Sequence, residues 1–324
     1  FSSIASKEIK SLKTEEKEKA IEVAPLYKIV DGMPKDNGER FATKISTLDE
    51  WTGGLKSGDL WILAGPPGSG KTLFAQTVTR NLTQQMLPVA WFSYELAAPE
   101  LHERFRVIGC GKDDLLLTPK EYTKDDVEWI CNAIKVAKQQ LPIKAVFIDH
   151  LSFLSPKPDK KISDQNFASY LHAVVRQLKK VAVEEQVAIM LLQHTNMSSA
   201  GKLSKGDLAD SKSSAKECDV LLFIKKLLKD EIRGDIALMT QGAEKNKFLS
   251  ERKDRLVVDI SQRQVEEMTG YGLITVDKVR KLKGKEGSFT IRLASDNSFV
   301  DYADWSGYEA KLNKEFNAMA ELFK

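Results

Sequence analysis

Residues Gly65 to Thr72 read GPPGSGKT, a stretch whose residue types and spacing suit the binding of a polyphosphate. It fits the phosphate-loop pattern G-x-x-x-x-G-K-[ST] at every fixed position. Glycines bring backbone N–H groups close to an anion at a helix N-terminus. Lys71 is expected to reach the β- and γ-phosphates, and the Thr72 hydroxyl is expected to ligate Mg²⁺. The predicted nucleotide-binding residues are Gly65, Pro66, Pro67, Gly68, Ser69, Gly70, Lys71 and Thr72.

Two acids follow apolar runs of buried-strand type. Asp149 ends the run 144–149, which is the position where a carboxylate holds Mg²⁺ beside a phosphate loop. Glu95 follows the run 89–93, where a carboxylate can orient and deprotonate an attacking water. The alternatives are a turn-capping Asp and a surface Glu.

Gln193 and His194 end a further apolar run, 187–192, and either could sense a γ-phosphate through a neutral N–H donor. Lys278 and Arg280 alternate in a basic turn and should share one face of a strand. Arg suits the stabilisation of charge on a transferring phosphoryl group. The alternative for this turn is a solvated hairpin tip or a nucleic-acid contact. The remaining histidines, which do not form a metal-ligand spacing, are His102, His150 and His172.

Two polar loops that follow core strands carry flexible basic side chains. Such groups could follow a phosphate backbone without reading its sequence, although ordinary solvated loops have the same composition. The residues predicted to contact nucleic acid are Lys157, Lys160 and Lys161 in the 156–161 loop, and Lys202 and Lys205 in the 196–215 loop.

The elements that must position these groups alternate between strands and helices. This order predicts an α/β fold whose mostly parallel central sheet carries helices on both faces, followed by an antiparallel C-terminal hairpin. Segment 111–123 is expected to be irregular, and 196–215 to be a mobile loop. The predicted strands are 60–64, 89–93, 144–149, 187–192 and 219–224, the hairpin strands are 272–276 and 288–293, and the helices are 72–78, 99–107, one capped by Asp125 or Asp126 and ending near 140, and 167–185.

Composition sets the general class of the protein. The 324 residues are 42% hydrophobic and 29% charged, and the net charge of +3 is too small to indicate nucleic-acid binding without a local patch. Three scattered cysteines favour reduced thiols in a cytosol-like compartment, with no zinc site. No apolar run approaches membrane-spanning length. The first residue is Phe1, so we expect a fragment or a processed product of a longer protein.

Taken together, residues 45–302 resemble the DnaB-type ring-forming replicative helicases, whose ATPase core is RecA-like. The stretches that carry the resemblance are Phe92-Ser93-Tyr94-Glu95-Leu96 with Arg104 downstream, Ile148-Asp149-His150-Leu151, Leu192-Gln193-His194-Thr195-Asn196, Gly206 to Ser211 with Cys218 to Phe223, and Lys278-Val279-Arg280 with Gly284 and Gly287. The resemblance implies that Glu95 is the catalytic base and that His194 is the sensor. It also implies that Lys278 and Arg280 reach a neighbouring subunit's ATP site. Ala209 stands where the family has Arg, and segment 225–271 is longer than usual.

The resemblance further implies a homo-hexamer that uses ATP or another NTP with Mg²⁺, grips single-stranded DNA, and moves 5′ to 3′ while separating the duplex. A primase or a helicase loader is the expected partner. The expected location is a bacterial or phage-infected cytosol, with an organelle matrix as the alternative. The implied domains are a linker helix and loop at 1–40, the ATPase domain at 41–305, and a C-terminal helix at 306–324. A solvated charged tail is the alternative for residues 1–22. Competing hypotheses are a RadA-like recombination ATPase, a KaiC-like assembly switch and, as the weakest, a small-molecule kinase.

Overall fold

The computed structural model describes residues 38–110, 115–122, 126–151, 164–195, 203–204, 206, 208, 214–226, 271–281 and 283–304. The predicted linker helix and C-terminal helix lie outside these residues, apart from the last positions of the 1–40 segment. Most of the long 225–271 segment also lies outside them.

The described chain contains eleven strands and six α-helices. The strands are β1 (Arg40–Phe41), β2 (Leu55–Lys56), β3 (Leu60–Gly65), β4 (Val89–Ser93), β5 (Leu116–Leu117), β6 (Ala145–Asp149), β7 (Ala188–His194), β8 (Val220–Lys226), β9 (Tyr271–Val279), β10 (Gly287–Leu293) and β11 (Phe299–Asp301). The helices are α1 (Ser46–Thr52), α2 (Lys71–Thr83), α3 (Ala98–Val107), α4 (Val127–Gln140), α5 (Asp164–Glu185) and α6 (Ser214–Glu217).

Nine of the strands form one sheet in the order β11-β10-β9-β8-β3-β7-β6-β4-β5. The six strands from β8 to β5 are parallel to one another. Strands β9, β10 and β11 extend this sheet antiparallel at the β8 edge. The predicted α/β class, the parallel core and the C-terminal hairpin are therefore confirmed.

Alternation along the central strands explains why the sheet is covered on both faces. In β3, Leu60 and Ile62 pack into one apolar cluster with the buried residues of α4 and α5. Trp61 and Leu63, which leave the strand on the opposite face, pack into a second cluster with α2 and α3. A strand buried on both faces reads as a continuous apolar run, which is how the sequence revealed it.

Local signals fixed several helix ends. Asp126 caps α4 by accepting a 2.7 Å hydrogen bond from the Trp129 N–H, so it is the capping residue of the two that the sequence left open. Pro99 lies in the first turn of α3, where its missing N–H costs no helical bond. None of the helices that the structure describes is both long and apolar enough to cross a bilayer.

The structure corrects one sequence expectation about loops and shows contacts within a second predicted loop. Residues 116–117 are not irregular, because they form the edge strand β5 beside β4. Among the few residues of the 196–215 segment that the structure describes, Leu203 and Leu208 are buried in the core, and Leu208 bridges to Thr195. The end of the segment forms the start of α6.

Candidate active site

Strand pairing brings the predicted groups to the carboxyl ends of the central strands. Gly65 at the end of β3 lies opposite His194 at the end of β7. Asp149 at the end of β6 lies opposite Ser93 at the end of β4, two residues before Glu95. Because these strands are parallel, their carboxyl ends form the crevice where α/β folds bind ligands.

The phosphate loop connects β3 to α2 and requires glycine at both of its ends. A side chain on Gly65 would lie 2.3 Å from the Ile224 carbonyl oxygen of β8. Gly70, the N-cap of α2, has a φ of 95°, a left-handed conformation that favours glycine. The loop therefore directs the α2 N-terminus and its free N–H groups toward the crevice.

Lys71 begins α2, and its ammonium group is held by three acceptors. Its Nζ donates to the carbonyl oxygens of Gly65 at 2.9 Å and Pro66 at 3.0 Å, and it lies 3.1 Å from His194 Nδ1. Burial lowers the pKa of Lys71 to about 8, although Asp149 and Glu95 favour its charged form. The lysine is thus a buried cation at the predicted phosphate position.

Thr72 and Asp149, the two residues predicted to hold Mg²⁺, lie within hydrogen-bond distance of each other. The Thr72 hydroxyl donates a 2.9 Å hydrogen bond to Asp149 Oδ2. Asp149 Oδ1 is buried and has no hydrogen-bond partner among the described residues. Burial, with a smaller contribution from the neighbouring Glu95 charge, raises the pKa of Asp149 to about 6, and the Thr72 hydrogen bond and the Lys71 charge oppose this shift.

This donor set fits Mg²⁺. A hydroxyl and a carboxylate are oxygen ligands of the kind that Mg²⁺ prefers. A buried carboxylate oxygen without a partner is costly, and a cation at that point would remove the cost. Thr72 and Asp149 are accordingly the residues that would hold the ion.

Glu95, His150 and His194 lie together beside Lys71. Glu95 Oε1 lies 3.1 Å from His150 Nε2 and 3.5 Å from His194 Nε2, and the two imidazole rings meet edge to face with centroids 4.2 Å apart. Burial lowers the pKa of His150 to about 4, with His194 adding to the effect. Burial, followed by the Lys71 charge, lowers the pKa of His194. Both rings are therefore neutral at pH 7, as the sensor hypothesis requires for His194.

The other predicted residues lie elsewhere. Gln193 is buried opposite Ala64, and alternation sends its side chain to the other face from His194. Lys278 and Arg280 lie toward the opposite end of the central strands, since Val279 pairs with Val220 at the start of β8. The predicted nucleic-acid residues Lys157, Lys160, Lys161, Lys202 and Lys205 lie outside the described residues.

Lys278 and Arg280 do share a face, as their spacing predicts. The side chains of both donate to the Lys216 carbonyl oxygen at the end of α6. Lys278 also donates to the Ala215 carbonyl oxygen. Neither side chain approaches the phosphate loop of its own chain.

His150 is the residue that sequence reasoning missed. The spacing of His102, His150 and His172 along the chain matches no metal motif, so the sequence alone does not assign His150 to the site. One signal in the sequence could have indicated this position. His150 comes just after the apolar run that ends at Asp149, and Glu95 comes just after the apolar run 89–93. Neighbouring parallel strands place such residues side by side.

The fold and the site together define an α/β protein with a phosphate loop at the carboxyl end of a mostly parallel sheet, the arrangement that binds nucleotides. Residues 41–113 match the DnaB-like helicase C terminal domain family. The replicative DNA helicase DnaB of Haemophilus influenzae is 26% identical over 226 residues, which are 60% of this chain and 47% of that protein. The chain thus spans about half the length of that relative. The predicted resemblance to DnaB-type replicative helicases is confirmed.

Two solved structures agree with the fold. One, described as an ATPase domain, superposes with a TM-score of 0.61 at 17% identity, over 85% of this chain and 95% of that chain. The other, a DnaB-like replicative helicase described together with its interactions with primase, superposes with a TM-score of 0.61 at 16% identity, over 92% of this chain and 70% of that chain. At these identities the superpositions establish the fold alone.

Proposed function

We propose that this chain is the ATPase motor of a DnaB-type replicative helicase, which hydrolyses ATP to move along single-stranded DNA and separate the duplex. The observation that carries the proposal is the convergence of Lys71, Thr72, Asp149, Glu95 and His194 at the carboxyl ends of neighbouring strands. The relatives are named replicative helicases, which supports this reading over a recombination ATPase or an assembly switch.

Each residue has a distinct part in the proposed chemistry. Lys71 and the N–H groups of the phosphate loop bind the β- and γ-phosphates. Mg²⁺, held by Thr72 and Asp149, would neutralise charge on the phosphate oxygens. Glu95 orients the attacking water and accepts its proton. His194, neutral beside Lys71, detects the γ-phosphate through a hydrogen bond.

The catalytic cation at the γ-phosphate comes from a neighbouring subunit. Strand β3 rises about 3.3 Å per residue, so its two ends lie about 13 Å apart between Trp61 and Gly65. Lys278 and Arg280 lie toward the far end and point to the carbonyl groups of α6. We therefore assign Arg280 to the ATP site of the adjacent subunit in a six-membered ring, with Lys278 beside it.

Single-stranded DNA is the proposed track, and translocation runs 5′ to 3′. The basic residues of the 156–161 and 196–215 loops follow β6 and β7, whose carboxyl ends carry Asp149 and His194. Loops that leave catalytic strands can transmit the nucleotide state to the strand they hold. A primase or a loader is the proposed protein partner, because one structural neighbour is described with primase.

The deciding experiment measures ATP hydrolysis with and without single-stranded DNA across a range of protein concentrations. We expect strong stimulation by DNA, and activity that rises more steeply than concentration because each site needs two subunits. A forked duplex with either a 5′ or a 3′ loading strand tests direction, and only the 5′ strand should support unwinding. An ATP hydrolysis rate that does not change when DNA is added, both in this chain and in an N-terminally extended one, would overturn the proposal.

A further inference from the structure

Three side chains with metal-binding atoms meet beside the phosphate loop. They are Glu95, His150 and His194, which we call the His–His–Glu cluster. Each contributes one ligand atom, and these atoms all lie within 4.8 Å of one another. No other such group occurs among the residues that the structure describes.

The spacing within the cluster matches the first coordination sphere of a small divalent ion. Zinc lies about 2.0–2.2 Å from imidazole nitrogen and carboxylate oxygen, so tetrahedral ligands lie about 3.3 Å from one another. The observed separations from Glu95 Oε1 are 3.1 Å to His150 Nε2 and 3.5 Å to His194 Nε2. Two edges of the coordination triangle are thus already near their liganded length.

The chemistry of the cluster selects a different ion from the one expected at Thr72 and Asp149. Two imidazoles and a carboxylate suit zinc, cobalt or nickel, whereas Mg²⁺ prefers oxygen ligands only. Three protein ligands also leave a coordination position for water. Glu95 is 34% exposed, so an ion can reach the cluster from solvent.

Lys71 is the group that opposes a metal here. Its ammonium donates to His194 Nδ1 at 3.1 Å, which leaves the ring proton of the neutral imidazole on Nε2. For a metal to bind Nε2, the ring proton must move to Nδ1, and Lys71 must release one proton to solvent so that its neutral amine can accept the hydrogen bond from Nδ1. Loss of that proton also removes the repulsion between Lys71 and the ion. Asp149, which accepts a hydrogen bond from Thr72, adds a compensating negative charge nearby.

We propose that Glu95, His150 and His194 form a binding site for a zinc-like divalent ion, and that the bound ion inhibits ATP hydrolysis. Inhibition follows because the ion occupies the carboxylate that orients the attacking water and the nitrogen that senses the γ-phosphate. The inhibitory part rests on the proposed function, whereas binding of the ion does not.

Binding is tested with Co²⁺ as a spectroscopic probe of the metal-free protein. We expect visible d–d absorption of a four- or five-coordinate site that saturates at one ion per chain, is displaced by Zn²⁺, and survives millimolar Mg²⁺. His150→Asn should weaken Co²⁺ binding at least tenfold. His172→Asn is the matched control, because His172 lies in a similar His–Glu pair, 3.0 Å from Glu217, and should bind as the parent does.

Glu95→Gln provides a second variant that removes a ligand from a more exposed position, should His150→Asn not fold. Binding that neither variant weakens would overturn the site, as would a thiolate charge-transfer band that assigns the ion to cysteine.

The inhibitory arm compares the Zn²⁺ concentration that halves ATP hydrolysis, at saturating Mg²⁺ and ATP, in the parent and in His150→Asn. The variant should need at least tenfold more Zn²⁺ relative to its own uninhibited rate. Equal sensitivity would overturn the inhibitory role. The two failures are distinguishable, since Co²⁺ binding without any ATPase activity removes the proposed function and leaves the site, and ATPase activity without Co²⁺ binding does the reverse.

Discussion

Replacing Asp149 with Asn should make the protein more stable while it removes metal-dependent catalysis. Asp149 is fully buried, and its Oδ2 accepts the hydrogen bond from Thr72. The Asn side-chain oxygen can accept the same bond, and its NH2 group would replace Oδ1, which also lacks a hydrogen-bond partner, so the loss of the charge is the main change. In the absence of a bound cation, the buried negative charge destabilises the folded state.

The magnitude follows from the pKa. The pKa of Asp149 rises from 3.8 to about 6 on folding, chiefly through burial. Each pKa unit corresponds to about 1.4 kcal/mol, so ionised Asp149 costs the folded state about 3 kcal/mol. The cost is absent below pH 3.8, grows as the pH rises toward 6, and is complete above that value. The Asn variant should therefore gain about 3 kcal/mol at pH 7.5 and about half as much at pH 5.

The assay is urea unfolding followed by circular dichroism between pH 5 and 8, without Mg²⁺ or nucleotide. Asp301→Asn is the matched control, because Asp301 is another buried strand-end carboxylate. Its two oxygens accept hydrogen bonds from the Thr47 N–H at 2.6 Å and the Ala303 N–H at 3.0 Å. Asn can accept only one of these bonds with its oxygen, so this variant should lose about 1–3 kcal/mol.

The two variants must therefore move in opposite directions. An Asp149→Asn protein that is less stable than its parent at pH 7.5 would refute the argument from the buried charge. A gain that stays constant from pH 5 to pH 8 would also refute it, because the ionisation of Asp149 could not then be the cause. ATP hydrolysis by the variant should be lost in parallel, as expected where a site sacrifices stability for function.

Three further outcomes are expected. Arg280→Ala should keep ATP binding and lose ATP hydrolysis, and Lys71→Ala should also lose hydrolysis. If Arg280 acts at the ATP site of the neighbouring subunit, mixing the two variant proteins should restore part of the ATPase activity. No recovery at any mixing ratio would contradict that geometry. Replacing Lys202 and Lys205 together with Ala should weaken single-strand binding and flatten its salt dependence, whereas an unchanged slope would place the DNA contact elsewhere. Trp91→Phe should lower the free energy of unfolding in urea by about 1–3 kcal/mol. The substitution removes a fully buried indole, which donates a 2.7 Å hydrogen bond to the Thr79 hydroxyl and stacks on the Phe147 ring. A loss near zero would show that the neighbouring side chains repack around the smaller ring.

The sequence was informative about the site wherever chemistry is written in consecutive residues. The phosphate loop, from Gly65 to Thr72, has a fixed spacing because one turn and one helix start must surround one anion. The helix and strand that flank it were also predicted, because each buries its own apolar residues at its own period. Asp149 and Glu95 were found as acids at strand ends.

Contacts between distant residues were found less completely. The short strand β5 pairs through two residues only, and the burial of Leu203 and Leu208 depends on a core built by other segments. A two-residue strand and two isolated buried leucines are too short to produce a periodic pattern of apolar residues. The sequence therefore predicted an irregular segment at 111–123 and a loop at 196–215. The sequence did not reveal the position of His150 for a related reason. Its neighbours Glu95 and His194 lie about 50 residues away along the chain, one just after β4 and the other at the end of β7.

By itself, the sequence determined a nucleotide-binding loop, a set of buried strands and the acids that end them, since these depend on local spacing and on the alternation of apolar residues. The tertiary structure decided which strand ends lie next to each other. Sheet order and register put His194 opposite Gly65, joined His150 to Glu95, and placed Arg280 at the far end of the strands from its own phosphate loop. These outcomes depend on how helices pack over both faces of the sheet, which is a property of the whole chain and of no single segment.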